Sequence, residues 1–366
     1  MPPLRAHRIL RILYVITPSR LSGAERITLH TAEVQQRHGD VVRVLSKPLP
    51  AFEAAAGEAG VDLVTGPIGG KLNLRSPGLI VEHIKSFHPD VVLTLHSTGT
   101  LWGVRAAKMA HVPCLAVMQS ANTRWPYTTA PAAIGCAEFV RQHLIAGGMP
   151  PDRVHTVPNG IDPRPFLDDT LREKARAELG LADDDLAVGT LAHFTPRKAH
   201  ADLLEAASIV VRHVPGLVLL WAGEGPLRSK LRRQALRLDL ADRVRFLGFR
   251  SDVPVLHRAF DIFALPSLEE GLPLSVLEAM ASARPCVVTE VSGNPELVEH
   301  GVTGFLARPH DPGAMARFII GLAGDPDARR NMGLAGRRRI VEHFTLESQT
   351  TRLRRILERE IEIQQR

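Results

Sequence analysis

Two glutamates, Glu270 and Glu278, stand eight residues apart in the run Pro266-Ser267-Leu268-Glu269-Glu270-Gly271-Leu272-Pro273-Leu274-Ser275-Val276-Leu277-Glu278-Ala279-Met280. The apolar stretch before it, Asp261-Ile262-Phe263-Ala264-Leu265, reads as a buried parallel strand. Pro273 suits the first turn of a helix, where its missing N–H costs little. One carboxylate then lies on the loop past a strand's carboxyl end, and the other reaches back from the helix. The open amides of the helix start lie between them. Amides suit phosphate and carboxylates suit sugar hydroxyls, so the run could hold a phosphorylated, polyhydroxylated ligand. On spacing alone, an ordinary strand-loop-helix with solvated acids accounts for it equally well.

Other loops carry compatible chemistry. Leu21-Ser22-Gly23-Ala24-Glu25 follows a first strand and opens a helix, so its backbone can approach phosphate or sugar. The three-glycine dinucleotide spacing is absent. Thr195-Pro196-Arg197-Lys198 offers a forked and a point cation, suited to a diphosphate, although a solvated basic loop reads the same. Ala222-Gly223-Glu224-Gly225-Pro226 permits a tight turn and a close ligand, or is simply a turn. His96, Gln119 and Ser120 end apolar strands. Asp183-Asp184-Asp185 precedes a strand and reads as solvated loop, and Asp325-Pro326-Asp327 as a helix start. No metal site is expected.

The elements that must position these loops alternate along the chain. Strands are predicted at 12–16, 41–45, 90–95, 114–118 and 132–136, then at 186–191, 218–222, 244–246, 262–265 and 286–289. Helices fit between them at 25–37, 77–87, 201–212 and 226–238, with further helical pattern over 168–181. Alternation of this kind predicts an α/β protein with doubly wound parallel sheets. Two such sets in 366 residues predict two Rossmann-like domains facing a central cleft. The expected boundaries are 1–165, 166–345 and a C-terminal helix over 346–366 that packs back on the first domain.

Composition narrows the class. No apolar run approaches the roughly 20 residues of a membrane span. Cys114, Cys136 and Cys286 are widely spaced beside apolar stretches, which predicts buried reduced thiols in the cytosol. The net charge is +6. Arginine clusters at 228–237, 329–330, 337–339 and 352–355 read as solvated helix faces, and an anionic membrane surface is one partner such charge would serve. Aromatic residues are not interleaved with the basic ones, so no nucleic-acid partner is expected.

Taken in order, these motifs resemble the family 4 glycosyltransferases of GT-B architecture, over nearly the whole chain. The stretch from Val157-Pro158-Asn159-Gly160-Ile161-Asp162 to Phe344-Thr345 carries most of it. It includes Ala222-Gly223-Glu224-Gly225-Pro226, Val244-Arg245-Phe246-Leu247-Gly248, Leu265-Pro266-Ser267, Glu278-Ala279-Met280-Ala281 and Gly301-Val302-Thr303-Gly304. The resemblance implies a retaining transfer from a nucleotide-sugar donor, UDP- or GDP-linked, to a glycan or glycolipid in surface polysaccharide synthesis. It implies no cofactor beyond that donor, and no metal. Glu270, Lys198 and Arg197 would be the catalytic group, with Glu270 near the donor sugar. Glu278 would hold the ribose hydroxyls. The diphosphate would meet amides around Gly271, Leu272, Leu274 and Ser275, with His193 as a further ligand and Gly23 approaching from the other half. Gly223, Glu224 and the backbone of Phe249 and Arg250 complete the donor set. The acceptor would lie near Lys71, Arg75, His96, Gln119 and the Asn122-Thr123-Arg124-Trp125 loop. The protein would work in the cytoplasm, at the inner face of the plasma membrane. Alternatives are an epimerase of the same fold and a nucleotide-sugar-binding protein with impaired catalysis. The chain departs from the family where Ala192-His193 replaces Gly-Arg, Lys198-Ala199 replaces Lys-Gly, and Gln119 replaces a histidine.

Overall fold

A computed structural model of the chain describes residues 8–121 and 123–366, so Asn122 of the expected acceptor loop lies outside the described residues. The chain divides into two compact units. One takes the chain up to Gly160 together with Leu346–Arg366, and the other takes Ile161–Thr345.

The first unit is built on seven strands: β1 (Arg11–Ile16), β2 (Val41–Ser46), β3 (Asp62–Thr65), β4 (Val91–Leu95), β5 (Cys114–Met118), β6 (Ala132–Gly135) and β7 (Val154–Thr156). Their order is β3-β2-β1-β4-β5-β6-β7, with every pair parallel. The second unit holds β8 (Leu186–Leu191), β9 (Leu217–Ala222), β10 (Val244–Gly248), β11 (Ile262–Leu265), β12 (Cys286–Thr289) and β13 (Gly304–Ala307). Their order is β10-β9-β8-β11-β12-β13, again all parallel. Each sheet reverses its direction of winding once, between β1 and β4 in the first unit and between β8 and β11 in the second. Loops diverge at such a switch point and leave a crevice at the strands' carboxyl ends.

The central strands are near-continuous apolar runs because helices cover both of their faces. Three strands were not expected from the sequence: β3, β7 and β13. All are edge strands of three or four residues with half-buried or exposed positions, so they lack the apolar run that marks their neighbours.

The boundary falls at Gly160/Ile161, five residues before the expected 165/166. Ile161 N donates to Phe344 O at 2.9 Å and Ile161 bridges Thr345, so the entering and leaving chains pair as soon as the second unit begins. The final helix, Leu346–Gln364, belongs to the first unit. It buries Leu353, Leu357 and Ile361, spaced along one helical face, in the core that holds Tyr14, Leu29 and Leu93. Its Glu360 is fully buried between His155, at 2.9 Å, and Arg153, at 3.4 Å.

The arginine clusters are only partly solvated faces. Arg337 Nε donates to Ala281 O and Arg339 Nε to Leu297 O, both at 2.9 Å, and Arg354 pairs with buried Asp40 at 2.6 Å. Each ties its helix to a neighbour. The three cysteines are buried and form no disulfide among the described residues, and burial pushes the Cys114 thiol up to about 12. Among the described residues no helix is long and apolar enough to cross a membrane.

Within β8, Gly189 faces the ring of fully buried Phe260, and a Cβ there would meet the ring carbon Cδ2 at 2.1 Å. Gly189→Ala is expected to cost about 1–3 kcal/mol through overpacking. Chemical denaturation checks this, and an unchanged midpoint would show that the Phe260 ring is free to move.

Candidate functional site

In the second unit, the loops leaving β8 and β11 flank the switch point. The β8 loop ends in a 3-10 turn, Pro196–Lys198, and the β11 loop runs to the helix Leu274–Ala281. The two loops are bonded to each other. Leu268 N donates to Arg197 O at 2.7 Å, and Lys198 Nζ donates to Glu270 Oε1. Glu270 is 4% exposed and the Lys198 side chain 14%, so the pair is largely withdrawn from water. Arg197 lies further out, 3.9 Å from Glu269, with both side chains about 40% exposed. Such an open pair contributes little to stability.

Gly271 and Leu272 are buried as the loop turns into the helix. Pro273 is the residue that caps this helix, with extended backbone, rather than a member of its first turn. Leu274 and Ser275 are therefore the first two helical residues, and their amides have no carbonyl partner within the helix. Glu278 follows one turn later on the same helix, its side chain 22% exposed. His257 Nε2 stands 3.9 Å from Glu278 Oε2, too long for a hydrogen bond. Burial holds the His257 pKa below its ordinary value, against the opposing pull of Glu278.

The remaining loops of this unit contribute backbone. Gly223 N donates to Gly248 O at 2.7 Å, which closes the ends of β9 and β10 together. Gly223 has φ +145°, and a Cβ there would lie 2.1 Å from Ala192 O, so only glycine fits. His193 Nδ1 lies 3.1 Å from Glu224 O, and the Glu224 carboxylate is held by Arg228 at 2.6 Å. Phe249 is 66% exposed after β10. The Arg250 side chain is engaged by Asp252, and this hydrogen bond raises the arginine pKa and lowers that of the carboxyl. Ser292, after β12, was not anticipated. Its Oγ accepts from Glu270 N at 3.2 Å. The signal was available, since Val291-Ser292-Gly293 follows a strand's carboxyl end.

In the first unit the switch point brings together Gly23 and His96. Ser22 and Glu25 form a capping box at the start of the helix Gly23–Arg37, with Ser22 N donating to Glu25 Oε2 at 2.9 Å. The other carboxylate oxygen of buried Glu25 lies 3.3 Å from His96 Nε2. Glu25 was not singled out from the sequence, although the Ser-x-x-Glu spacing marks it. His96 has φ +61° and ψ +152°, a region otherwise occupied by glycine. Strain of this kind clusters at functional sites. Gln119, half-buried, follows β5, and Lys71 and Arg75 sit on the exposed loop after β3. Arg124 is not brought to this mouth. It lies against Gly147, beyond the last turn of the helix Glu138–Ile145. That helix starts at the carboxyl end of β6 and runs back toward the edge where the strands begin.

Among the described residues no group of three His, Cys, Asp or Glu side chains is arranged to hold a metal ion.

Comparison with known proteins accords with this geometry. Residues 172–339 match the family model for glycosyl transferases group 1, and residues 21–164 the model for glycosyltransferase family 4. The Bacillus subtilis (strain 168) protein EpsF, described as a glycosyltransferase, is 34% identical over 306 residues, covering 76% of this chain and 79% of that protein. An Escherichia coli enzyme is 24% identical over 376 residues, covering 93% of this chain and 94% of its own length. It is named UDP-Gal:alpha-D-GlcNAc-diphosphoundecaprenol alpha-1,3-galactosyltransferase. The crystal structure of Anabaena HepE with UDP-glucose superposes with a TM-score of 0.87 at 22% identity, covering 95% of this chain and 99% of that one, which establishes a shared GT-B fold.

Two outcomes follow from the local geometry. Ala199, directly after Lys198, has φ +44° and ψ +36°, the left-handed region, which accounts for the glycine the family often carries there. Ala199→Gly is expected to raise stability by about 1 kcal/mol, as relief of that strain outweighs the entropy glycine adds to the unfolded chain. A thermal melt checks it, and a destabilised variant would refute it. His200 is buried against Phe194 and Trp221 with neither ring nitrogen hydrogen-bonded, and burial brings its pKa down to about 3. Unfolded histidine binds its proton near pH 6.5. The stability linked to neutral His200 is therefore whole above about pH 6.5 and drains as the pH falls toward 3. Between pH 7 and 5, His200→Leu should lose less stability than the parent does. Equal slopes would count against it.

Proposed function

This chain belongs to the glycosyltransferases of group 1, family 4, and from that premise we propose that it is a retaining enzyme. Its donor is a nucleotide sugar, UDP- or GDP-linked, and its acceptor a glycan or glycolipid of a surface polysaccharide. The observation that carries this reading is the Lys198–Glu270 pair at the second unit's switch point, beside the start of the helix Leu274–Ala281. The diphosphate sits on the amides of Leu274 and Ser275 and draws Lys198, with Arg197 as an outer cation. Glu270, released in part from Lys198, receives the hydroxyls of the donor sugar. Glu278, one turn along, takes the ribose hydroxyls. The backbone after β10, at Phe249 and Arg250, meets the base. The Gly223-Glu224 turn and His193 border the donor.

Fixed positive charge and helix amides meet the charge that develops on the leaving diphosphate, which is preorganised electrostatic catalysis and calls for no metal ion in this reading. A carboxylate already clamped by an ammonium is a weak nucleophile. That favours attack by the acceptor hydroxyl on the face the diphosphate leaves, with a phosphate oxygen taking the proton. The first unit receives the acceptor at its own switch point, where His96 and Gln119 stand at strand ends. The Escherichia coli relative is named for a UDP-galactose donor and a lipid-diphosphate acceptor, and HepE was crystallised with UDP-glucose, which supports a nucleotide-sugar donor here. A lipid-borne acceptor and a net charge of +6 fit work at the anionic cytoplasmic face of a membrane.

Incubation with UDP-, GDP- and ADP-sugars should release nucleotide with one of them, and that donor should also raise the melting temperature. Lys198→Ala and Glu270→Gln are each expected to lower kcat about 100-fold or more, the loss seen when one preorganised charge partner is removed. Melting curves of both variants separate this from unfolding. Unchanged turnover in both would place the chemistry elsewhere, and epimer formation without transfer would replace the reading.

A further inference from the structure

Away from either switch point, the first unit carries a shallow, open depression of about 580 Å³. Arg124, Trp125, Thr128, His143 and Gly147 line it, and no carboxylate does. Trp125 is 62% exposed, an unusual position for the largest apolar side chain. It is held there by a short helix, Trp125–Thr128. Tyr127 of that helix is buried beneath, its N donating to Arg124 O at 2.9 Å, and Thr128 Oγ1 donates to Trp125 O at 3.1 Å. The backbone that carries the indole is thus held, and the ring is open on the surface.

Arg124 is placed with equal specificity. Its stem lies across the helix end, with Cδ 2.8 Å from where a Cβ on Gly147 would be. Among the described residues its guanidinium has no ion pair or side-chain hydrogen bond. An exposed indole beside a forked cation offers two contacts at once. The flat apolar ring receives the C–H face of a sugar, and the guanidinium receives an anionic group bidentately.

We propose that this depression is a subsite for an anionic saccharide, in which Trp125 stacks on the ring and Arg124 pairs with its carboxylate or phosphate. As part of an acceptor chain, the inference rests on the glycosyltransferase reading. The helix Glu138–Ile145 has eight residues, so its two ends lie roughly 12 Å apart. The subsite therefore holds a stretch of acceptor distant from the hydroxyl that reacts, and favours longer chains over shorter ones.

The chain's other two tryptophans, Trp102 and Trp221, are 4% and 0% exposed, so acrylamide quenching of fluorescence reports chiefly on Trp125. Full-length protein is titrated with an oligogalacturonate, a phosphorylated oligosaccharide and a neutral maltooligosaccharide of the same length. One of the two anionic probes is expected to protect Trp125 saturably, which identifies carboxylate or phosphate as the group bound, and the neutral probe to protect it far less. By calorimetry, Arg124→Gln should weaken that binding about tenfold, the loss of a charge-assisted hydrogen bond. Trp125→Ala should weaken it as well. Melting temperatures confirm that both variants fold, and Arg124→Lys, keeping charge without the fork, should fall between the parent and Arg124→Gln. Protection by neither anionic probe, equal protection by the neutral one, or unchanged affinity in Arg124→Gln overturns the proposal. Nucleotide-sugar binding to the parent protein is measured separately. Its failure alongside protected Trp125 would sink the enzymatic reading and leave the subsite standing.

Discussion

The second unit's site depends on one ion pair. Lys198 and Glu270 come from loops that leave β8 and β11 in diverging directions, and their contact closes the gap that the switch point opens. A carboxylate as deeply placed as Glu270 is stable in its charged form only with a partner. Removing one member of a buried pair costs about 3–5 kcal/mol, because the other is left charged and dry. The backbone bond from Leu268 N to Arg197 O holds the same two loops in register. The two loops are thus tied to each other through both side chain and backbone. In the reading proposed above, a diphosphate would offer Lys198 a second anion, so donor binding would share the ammonium.

The first unit reaches a similar arrangement by different means. Glu25 divides its two oxygens between the cap of the helix Gly23–Arg37 and the edge of His96. His96 holds a backbone conformation that the surrounding fold must enforce. A helix cap, a glycine-led loop and a strained histidine are therefore coupled through one buried carboxylate. A change at Glu25 would disturb all three.

Much of this was legible in the residues, and the limits are physical. Central strands such as β1, β8 and β11 announce themselves because burial on both faces demands unbroken apolar runs. Edge strands β3, β7 and β13 make no such demand and left no run to read. Glu270, Lys198 and Glu278 could be placed past strand carboxyl ends because strand-end loops are identifiable from the runs before them. Arg124, expected beside the acceptor, lies away from the switch point because its segment leaves a strand end and then doubles back along the flank, a path that no local pattern encodes. The arginine clusters were read as solvated because composition does not reveal which guanidinium reaches a carbonyl in another helix. Ser292 was passed over because its role exists only once β12 lies beside β11.

The helix Leu346–Gln364 carries a consequence for how the protein is made. Leu353, Leu357 and Ile361 complete the core of the first unit, yet they are synthesised after the whole of the second unit. The second unit is contiguous in the chain and can fold while the ribosome is still working. The first cannot close until the helix Leu346–Gln364 has emerged, since that helix supplies part of its hydrophobic interior. The N-terminal half emerges first and matures last, waiting with exposed apolar surface on β1 and the helix Gly23–Arg37. Loss of even a few turns of that helix would therefore strike the unit that begins with β1, on the far side of the second unit in sequence.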